Sequence, residues 1–119
     1  MAKRTNDPVT RFFDDLARRE HEPLLRKATG SFRFDVVDGR RTRRFVVQVD
    51  NGDMSVTKGG GDASCVLRAD KGVFDRIMSG RMNAVAAVLR GDVEVDGDWR
   101  LLVRLQRLFP GPRRSRARA

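Results

Sequence analysis

Acidic residues alternate along the segment Asp92–Asp98 with a spacing that could bind calcium. The four acids and Gly97 match positions 1, 3, 5, 7 and 6 of an EF-hand loop. The bidentate glutamate that such a loop needs at position 12 would fall on Val103. Val93 and Val95 also alternate with the acids, as they do in a half-buried strand. We therefore predict a strand followed by a turn here, with a divalent-ion site as the alternative.

The side chains most often used in catalysis are scarce and far apart in the sequence. The one histidine, His21, precedes Pro23 and has a glutamate on either side, which is typical of a solvated helix end. The one cysteine, Cys65, excludes an intramolecular disulfide and a cysteine zinc cluster. Its place on the apolar side of a predicted strand favours a small buried hydrophobe over a nucleophile. We predict a protein that is not an enzyme and needs no cofactor or metal.

Two further segments could contact anions. Gly59–Gly61 has the glycine content of a phosphate-binding loop, but a predicted strand follows it instead of a helix. We interpret it as a connector. Arg40, Arg41, Arg43 and Arg44 surround a predicted hairpin turn, where they are either solvated or able to hold a phosphate. Because the chain has no tyrosine, a surface for stacking nucleic-acid bases is not expected there.

Most of the positive charge lies at the two ends of the chain. The formal net charge is +9, and removing six basic residues at the ends leaves 19 basic against 16 acidic residues. These six residues are Lys3, Arg4, Arg113, Arg114, Arg116 and Arg118. The four C-terminal arginines are either a solvated tail or a contact with an anionic membrane surface. We rank binding of nucleic acid through the tails below these two alternatives. The sequence does not indicate an oligomeric state.

With 119 residues the chain fits one domain that can bury its own core. We predict a disordered N-terminus over residues 1–6, a folded domain over 7–109 and a basic disordered tail over 110–119. The N-terminal residues lack the apolar core of a signal peptide, and no apolar stretch approaches the ~20 residues of a membrane span. We expect a cytoplasmic protein.

Hydrophobic spacing predicts helices at both ends of the folded part and strands between them. A helix begins at Asp7-Pro8, two short helices follow Asp70 and Asn83, and a last helix runs from Asp98 to Pro110. Val85, Val88 and Leu89 are predicted to face inward from the third of these helices.

Alternating residues predict four strands between Gly30 and Asp70 and a fifth at Val93 and Val95. We predict that the first four form an antiparallel meander. The fold class is α+β, a five-stranded, mostly antiparallel sheet with helices covering one face.

An ordered set of motifs resembles the sterol carrier protein-2 type lipid-transfer domain over about residues 10–109. The motifs are Phe32-Arg33-Phe34-Asp35-Val36, Asp38-Gly39, Ala63-Ser64-Cys65, Phe74-x-x-Ile77-Met78-Ser79-Gly80, Asn83, Leu89-Arg90-Gly91-Asp92-Val93-x-Val95-x-Gly97-Asp98, Leu101 through Leu105 and Leu108-Phe109. The chain departs from the common family pattern at Ala84 and Ala87, where proline and an aromatic residue or methionine are usual.

The resemblance implies an apolar tunnel between the sheet and the helices, and non-covalent binding or transfer of a sterol, fatty acid, acyl-CoA or isoprenoid lipid. It further implies a bacterial-style cytoplasmic role, because the peroxisomal import signal is absent. The implied ligand-binding residues are Phe34, Phe45, Cys65, Leu67, Phe74, Ile77, Met78, Met82, Val85, Leu89, Leu105 and Leu108. The alternative is an accessory module of the same fold with a filled core, which would scaffold a lipid- or quinone-modifying assembly.

Overall fold

The computed structural model describes residues 7–19 and 21–109. The predicted disordered segments 1–6 and 110–119, with their basic residues, lie outside the described residues. The helices are α1 (Pro8–Arg19), α2 (Lys71–Met78), α3 (Ala84–Arg90) and α4 (Trp99–Leu105), with short 3-10 helices at Pro23–Leu25 and Gln106–Leu108. The strands are β1 (Thr29–Asp38), β2 (Arg41–Asp50), β3 (Asp53–Lys58), β4 (Cys65–Asp70) and β5 (Glu94–Gly97).

The five strands form one sheet in the order β3-β2-β1-β4-β5. The fold class is thus α+β with a mostly antiparallel sheet, as predicted. The prediction that the first four strands form an antiparallel meander was wrong, because β4 does not pair with β3. It crosses to the other side of β1 and pairs with it in parallel, with Phe34 opposite Leu67.

The crossover from β3 to β4 is the short glycine-rich segment at Gly59–Gly61, which the sequence predicts to be a connector. Gly59 and Gly61 have φ values of +115° and +132°, which side chains other than glycine rarely adopt. The segment lies against the face of the sheet that carries Arg33, and Arg33 Nη1 donates to the Gly61 carbonyl at 2.9 Å. The glycines therefore allow a sharp change of direction that a few ordinary residues would not make.

A buried carboxylate lies on that same outer face of the sheet. Asp35 is only 3% exposed, and it accepts two hydrogen bonds from Arg33, at 2.9 Å from Nε and 3.1 Å from Nη2. Arg44 on β2 and Arg68 on β4 are its neighbours in register and lie 3.4 and 3.9 Å from its oxygens. Surrounding guanidinium groups thus compensate the cost of burying this charge.

The inner face of the sheet is apolar and carries the helices. Phe34 lies opposite Phe45 on β2, and the inner-face residues at every second position, from Phe32 to Val36 and from Phe45 to Val49, are buried. No helix among the described residues is long and apolar enough to cross a membrane.

Two of the predicted helix caps make the expected hydrogen bonds. Asn83 accepts a hydrogen bond from the Ala86 amide, and Asp98 accepts one from the Arg100 amide. Asp70 precedes α2, but its side chain makes no capping hydrogen bond.

Candidate functional site

Several of the predicted wall residues form a packed layer between the sheet and the helices. The rings of Phe34 and Phe74 are edge-on with centroids 6.0 Å apart. These two residues, with Leu67, Ile77 and Leu105, are among the largest fully buried side chains of the described part. Where the resemblance implies a tunnel, this layer therefore holds closely packed side chains. We call it the central layer.

The structure places the remaining predicted wall residues in different environments. Met82 and Val85 are half-buried on either side of the start of α3, whereas Leu89 is 75% exposed. The prediction that Leu89 faces inward was therefore wrong. The small side chains of Ala84 and Ala87 face the interior instead, which turns Leu89 towards solvent.

Two cavities lie beside α1, at the edge of the central layer. The first, which we call the strand-side cavity, has a volume of about 440 Å³ between α1, β2 and β3. Its apolar surface comes from Phe13, Phe45 and Val56, with basic groups at its rim. The lining residues are Thr10, Phe13, Asp14, Ala17, Thr42, Arg43, Arg44, Phe45, Val56, Lys58, Gly59 and Gly60.

The second, the helix-side cavity, has a volume of about 550 Å³ between α1, the end of α2 and the last 3-10 helix. It includes the predicted residues Met78 and Leu108. Its lining residues are Pro8, Arg11, Phe12, Asp15, Leu16, Arg19, Met78, Ser79, Leu108 and Phe109. Each volume falls within the roughly 300–1,000 Å³ of small-molecule sites.

Two adjacent phenylalanines of α1 separate the cavities. Phe13 stacks on Phe45 with ring centroids 4.2 Å apart, and Phe12 stacks on Phe109 at 5.1 Å. The rings of Phe12 and Phe13 are 5.3 Å apart and nearly perpendicular. Reorientation of these rings would therefore change the size of both cavities together.

The residues on the α1 side of the site were not predicted from the sequence. Phe12, Phe13, Val56 and Phe109 line the cavities but were absent from the predicted wall. The two adjacent phenylalanines on the apolar face of the first helix could have indicated that this helix contributes to the site.

An ion cluster anchors the N-terminal end of α1. Asp7 lies 3.3 Å from Arg43 on β2 and 3.1 Å from Lys71 on α2. Burial opposes ionisation of Asp7, but hydrogen bonds from Thr10, Lys71 and Arg43 and the charge of Lys71 outweigh it and lower its pKa to about 2. Lys71 also donates to Asp75 at 2.8 Å, which raises the pKa of Lys71. The cluster thus fixes the helix that separates the cavities.

The isolated histidine and cysteine do not line either cavity. Cys65 is fully buried, and burial, with the charges of Asp98 and Asp96, raises its pKa to about 11. Its thiol is therefore protonated at neutral pH. His21 lies past the end of α1, where its Nδ1 is 2.7 Å from Asp53 Oδ1.

The acidic segment forms the predicted strand and turn, because it contains β5 and the cap of α4. Within residues 7–19 and 21–109, no group of three or more histidine, cysteine, aspartate or glutamate side chains is placed to hold a metal ion.

Comparison with known proteins points to one family. A family model described as the SCP-2 sterol transfer family matches residues 12–110. The human protein named sterol carrier protein 2 is 33% identical over 92 residues, which cover 75% of this chain and 17% of that protein. The chain thus spans about one sixth of the length of this relative.

Solved structures share the fold. The solution structure of palmitated sterol carrier protein 2 like 2 from Aedes aegypti has a TM-score of 0.69 at 16% identity, covering 86% of this chain and 90% of that one. Sterol carrier protein 2 from the same mosquito, in complex with palmitate, has a TM-score of 0.64 at 21% identity, covering 81% and 88%. Because the family model covers most of the chain, this protein belongs to the SCP-2 sterol transfer family.

Proposed function

We propose that the protein binds a hydrophobic lipid without covalent chemistry and carries it between membranes. The observation that carries this proposal is the pair of cavities beside α1 whose walls include buried aromatic rings, in a chain whose family includes palmitate-bound structures. The candidate ligands are sterols, fatty acids, acyl-CoA and isoprenoids.

The strand-side cavity would hold the apolar part of the ligand. Its aromatic surface at Phe13 and Phe45 offers large contact areas, and Val56 leaves space on the β3 side. Burial of apolar ligand surface contributes about 25 cal/mol per Å², which is enough for micromolar affinity without hydrogen bonds. Selectivity for chain length would be weak, since one methylene contributes about 1 kcal/mol.

The rim of this cavity favours a ligand with an anionic end. Arg43, Arg44 and Lys58 line it, against the single carboxylate of Asp14. Arg43 and Arg44 also contact Asp7 and Asp35, which leaves Lys58 as a cation without a recorded partner in the described part of the chain. We therefore rank fatty acids and acyl-CoA above sterols.

We also propose that the protein catalyses no reaction on the lipid that it binds. None of the described residues that line the two cavities is a histidine or a cysteine. Asp14 and Asp15 line different cavities, so they would not act together as an acid and a base.

The filled central layer favours a second candidate, the accessory module that scaffolds a lipid- or quinone-modifying assembly. Phe34, Leu67 and Phe74 leave little room between the sheet and α2. Stable capture of protein partners by a protein that takes up no lipid would support this second candidate.

For the segment after residue 110 we propose contact with anionic membranes through Arg113, Arg114, Arg116 and Arg118. Each basic residue near such a surface contributes about 1 kcal/mol. Truncation after residue 110 is expected to weaken binding to phosphatidylglycerol vesicles at low salt, and unchanged binding would contradict this role.

Native mass spectrometry of the purified protein, followed by uptake of a fluorescent fatty acid, tests the lipid-carrier proposal. We expect a bound lipid or saturable uptake by the wild type, and at least about tenfold weaker uptake by Val56→Phe, which fills the strand-side cavity. Val66→Phe is the matched control, because Val66 is half-buried on the outer face of the sheet. A wild-type protein that carries no bound lipid and takes up no fatty acid would overturn the proposal.

A further inference from the structure

Two segments that resemble anion sites in the sequence, the arginines around the β1–β2 turn and the glycines after β3, meet in the folded protein. The Gly59 amide donates to the Arg44 carbonyl at 2.8 Å, and a Cβ atom at position 60 would lie 3.4 Å from Arg44 Cδ. In the described part of the chain, the amides of Gly60 and Gly61 have no hydrogen-bond partner. An arginine side chain therefore lies beside backbone donors that the fold does not use.

Arg44 belongs to a row of charged side chains across the outer face of the sheet. Asp35 on β1 pairs in register with Arg44 on β2 and with Arg68 on β4, so the three side chains share that face. Arg44 Nε lies 3.4 Å from Asp35 Oδ1, and Arg68 Nη1 lies 3.9 Å from Asp35 Oδ2. The two guanidinium groups thus converge on the two oxygens of one carboxylate.

This row carries more positive charge than Asp35 neutralises. Arg33 donates from Nε and Nη2 to Asp35 and from Nη1 to the Gly61 carbonyl, so its contacts are internal. Arg44 and Arg68 each make one longer contact with Asp35, and their side chains are 42% and 46% exposed. Three guanidinium groups around one carboxylate leave an excess of two positive charges. The N–H groups of Arg44 and Arg68 that face solvent are free to bind an anion.

We propose that Arg44 and Arg68 bind a phosphate group on the outer face of the sheet, with the amides of Gly60 and Gly61 as additional donors. A phosphate dianion matches the excess of two charges, and its oxygens accept the paired N–H donors of guanidinium groups. Asp35 holds both arginine side chains in place before binding, which lowers the entropy cost. The site lies on the side of the sheet opposite to the central layer.

The remaining charges of the outer face argue against a bilayer or a nucleic acid as the ligand. Glu94 pairs in register with Arg68 and Asp96 with Val66, and both acidic residues are exposed. An extended anionic surface would meet these carboxylates together with the arginines. Among the described residues, the large apolar side chains that are exposed lie on α3 and α4 and not on this face. The pattern favours a compact anion.

The phosphate group could belong to a free soluble molecule or to the head of a lipid. Arg44 also lines the strand-side cavity, so a lipid chain in that cavity would bring its head group to the same side chain. If the phosphate belongs to a lipid, the inference rests on the proposed carrier function. If it belongs to a free molecule, the site is independent of that function.

Titration with inorganic phosphate, followed through the backbone amide signals in NMR spectra, tests the site. We expect saturable shifts of the Gly60 and Gly61 signals with a dissociation constant of about 1 mM or lower. Arg68→Gln should weaken binding at least about fivefold, and Arg68→Lys less, since lysine keeps the charge but not the fork. The charge-matched control is Arg40→Gln, at an exposed position of the β1–β2 turn, and its effect should be less than twofold.

Two outcomes of this titration would overturn the inference. In one, phosphate shifts signals elsewhere in the wild-type protein but not those of Gly60 and Gly61, a readout that depends on no variant. In the other, Arg68→Gln and Arg40→Gln weaken binding equally, which would show attraction by net charge alone. Arg68→Gln leaves Arg33 and Arg44 on Asp35, and thermal unfolding checks that the variant is folded.

Palmitate and palmitoyl lysophosphatidate, which share an acyl chain and differ in head group, identify the source of the phosphate. A loss of about fivefold for lysophosphatidate alone in Arg68→Gln would assign the phosphate to a lipid head. Unchanged uptake of both lipids, with weaker binding of inorganic phosphate, would assign it to a free molecule. A protein that binds phosphate but neither lipid would contradict the carrier proposal alone. If Arg68→Gln changed the binding of none of the three probes, the phosphate site would be wrong.

Discussion

The central layer and the layer beside α1 are built from the same residue types but are filled to different degrees. In the central layer, Phe34 and Phe74 meet among fully buried aliphatic side chains. Beside α1, Phe13 and Phe45 are also buried, yet a cavity of about 440 Å³ borders them. Aromatic content therefore does not distinguish a packed core from a binding site. The difference lies in whether the opposing element can approach closely enough to fill the space.

The position of α1 explains why its layer stays open. The helix is tied at its N-terminal end by Asp7 to Arg43 and Lys71, and Phe12 and Phe13 contact separate aromatic partners. These contacts fix where α1 lies against the sheet, and the two cavities remain beside the helix. We infer that the central layer provides most of the stability and that the α1 layer provides the binding capacity.

The largest expected effect contrasts two phenylalanines that are partners across β1 and β2. Phe34→Ala removes a fully buried ring from the central layer, and we expect a loss of about 3–5 kcal/mol in the free energy of unfolding. Phe45→Ala should cost at least about 1 kcal/mol less, because the cavity beside Phe45 already leaves part of its ring without partner atoms. Urea denaturation measures both losses. Equal losses would remove the proposed difference between the layers.

An intermediate effect is expected at the anchor of α1. Because the pKa of Asp7 is lowered from 3.8 to about 2, its carboxylate stabilises the fold above pH 4, and this contribution is lost as the pH falls from about 4 to 2. Asp7→Asn should therefore lower stability by about 1–2 kcal/mol at pH 7, with a difference from wild type that shrinks over that range.

Asp14→Asn is the control for this charge change. Asp14 lies on the same helix and is exposed, and no ion pair is recorded for it within the described residues. Thermal unfolding at several pH values compares the two variants. A constant deficit for Asp7→Asn down to pH 2 would mean that the lost contribution is not electrostatic.

The smallest effect on stability is expected where a side chain grows into space that already exists. Val56→Phe enlarges a half-buried residue that lines the strand-side cavity, so we expect a change within about 1 kcal/mol. Leu67→Phe enlarges a fully buried residue of the central layer and should cost about 1–3 kcal/mol. If Val56→Phe destabilised as much as Leu67→Phe, the cavity would not be available space.

Much of the fold could be predicted because apolar residues recur with the helical period of about 3.6 residues or the strand period of two along most of the chain. Alternation at Phe32, Phe34 and Val36 identified the inner face of β1, and the capping roles of Asn83 and Asp98 located two helix starts. The resemblance to the family, which the family model confirms, supplied the fold as a whole.

The errors have physical causes. The glycine triplet lacks any side chain that could show which strand comes next, so a hairpin and a crossover have the same pattern there. Helix α3 is apolar on nearly every side over its seven residues, so its sequence does not indicate which side faces inward. Ala84 and Ala87 occupy the interior, and Leu89 does not. The cavities could not be predicted either, because a void depends on the distance between elements and not on one residue type.

Strand β1 pairs with two partners that lie at very different separations along the chain. Its pairing with β2 closes through a two-residue turn, whereas Phe32 pairs with Cys65 only after the whole β2–β3 hairpin and the crossover. Closing the longer loop costs more chain entropy, so we expect β1, β2 and β3 to assemble first and β4 to join later. Because Arg33 and Asp35 lie on the same strand, the carboxylate would already have a counter-charge before β4 joins. Arg68 arrives with β4, so its contact with Asp35 would form only when β4 joins the sheet.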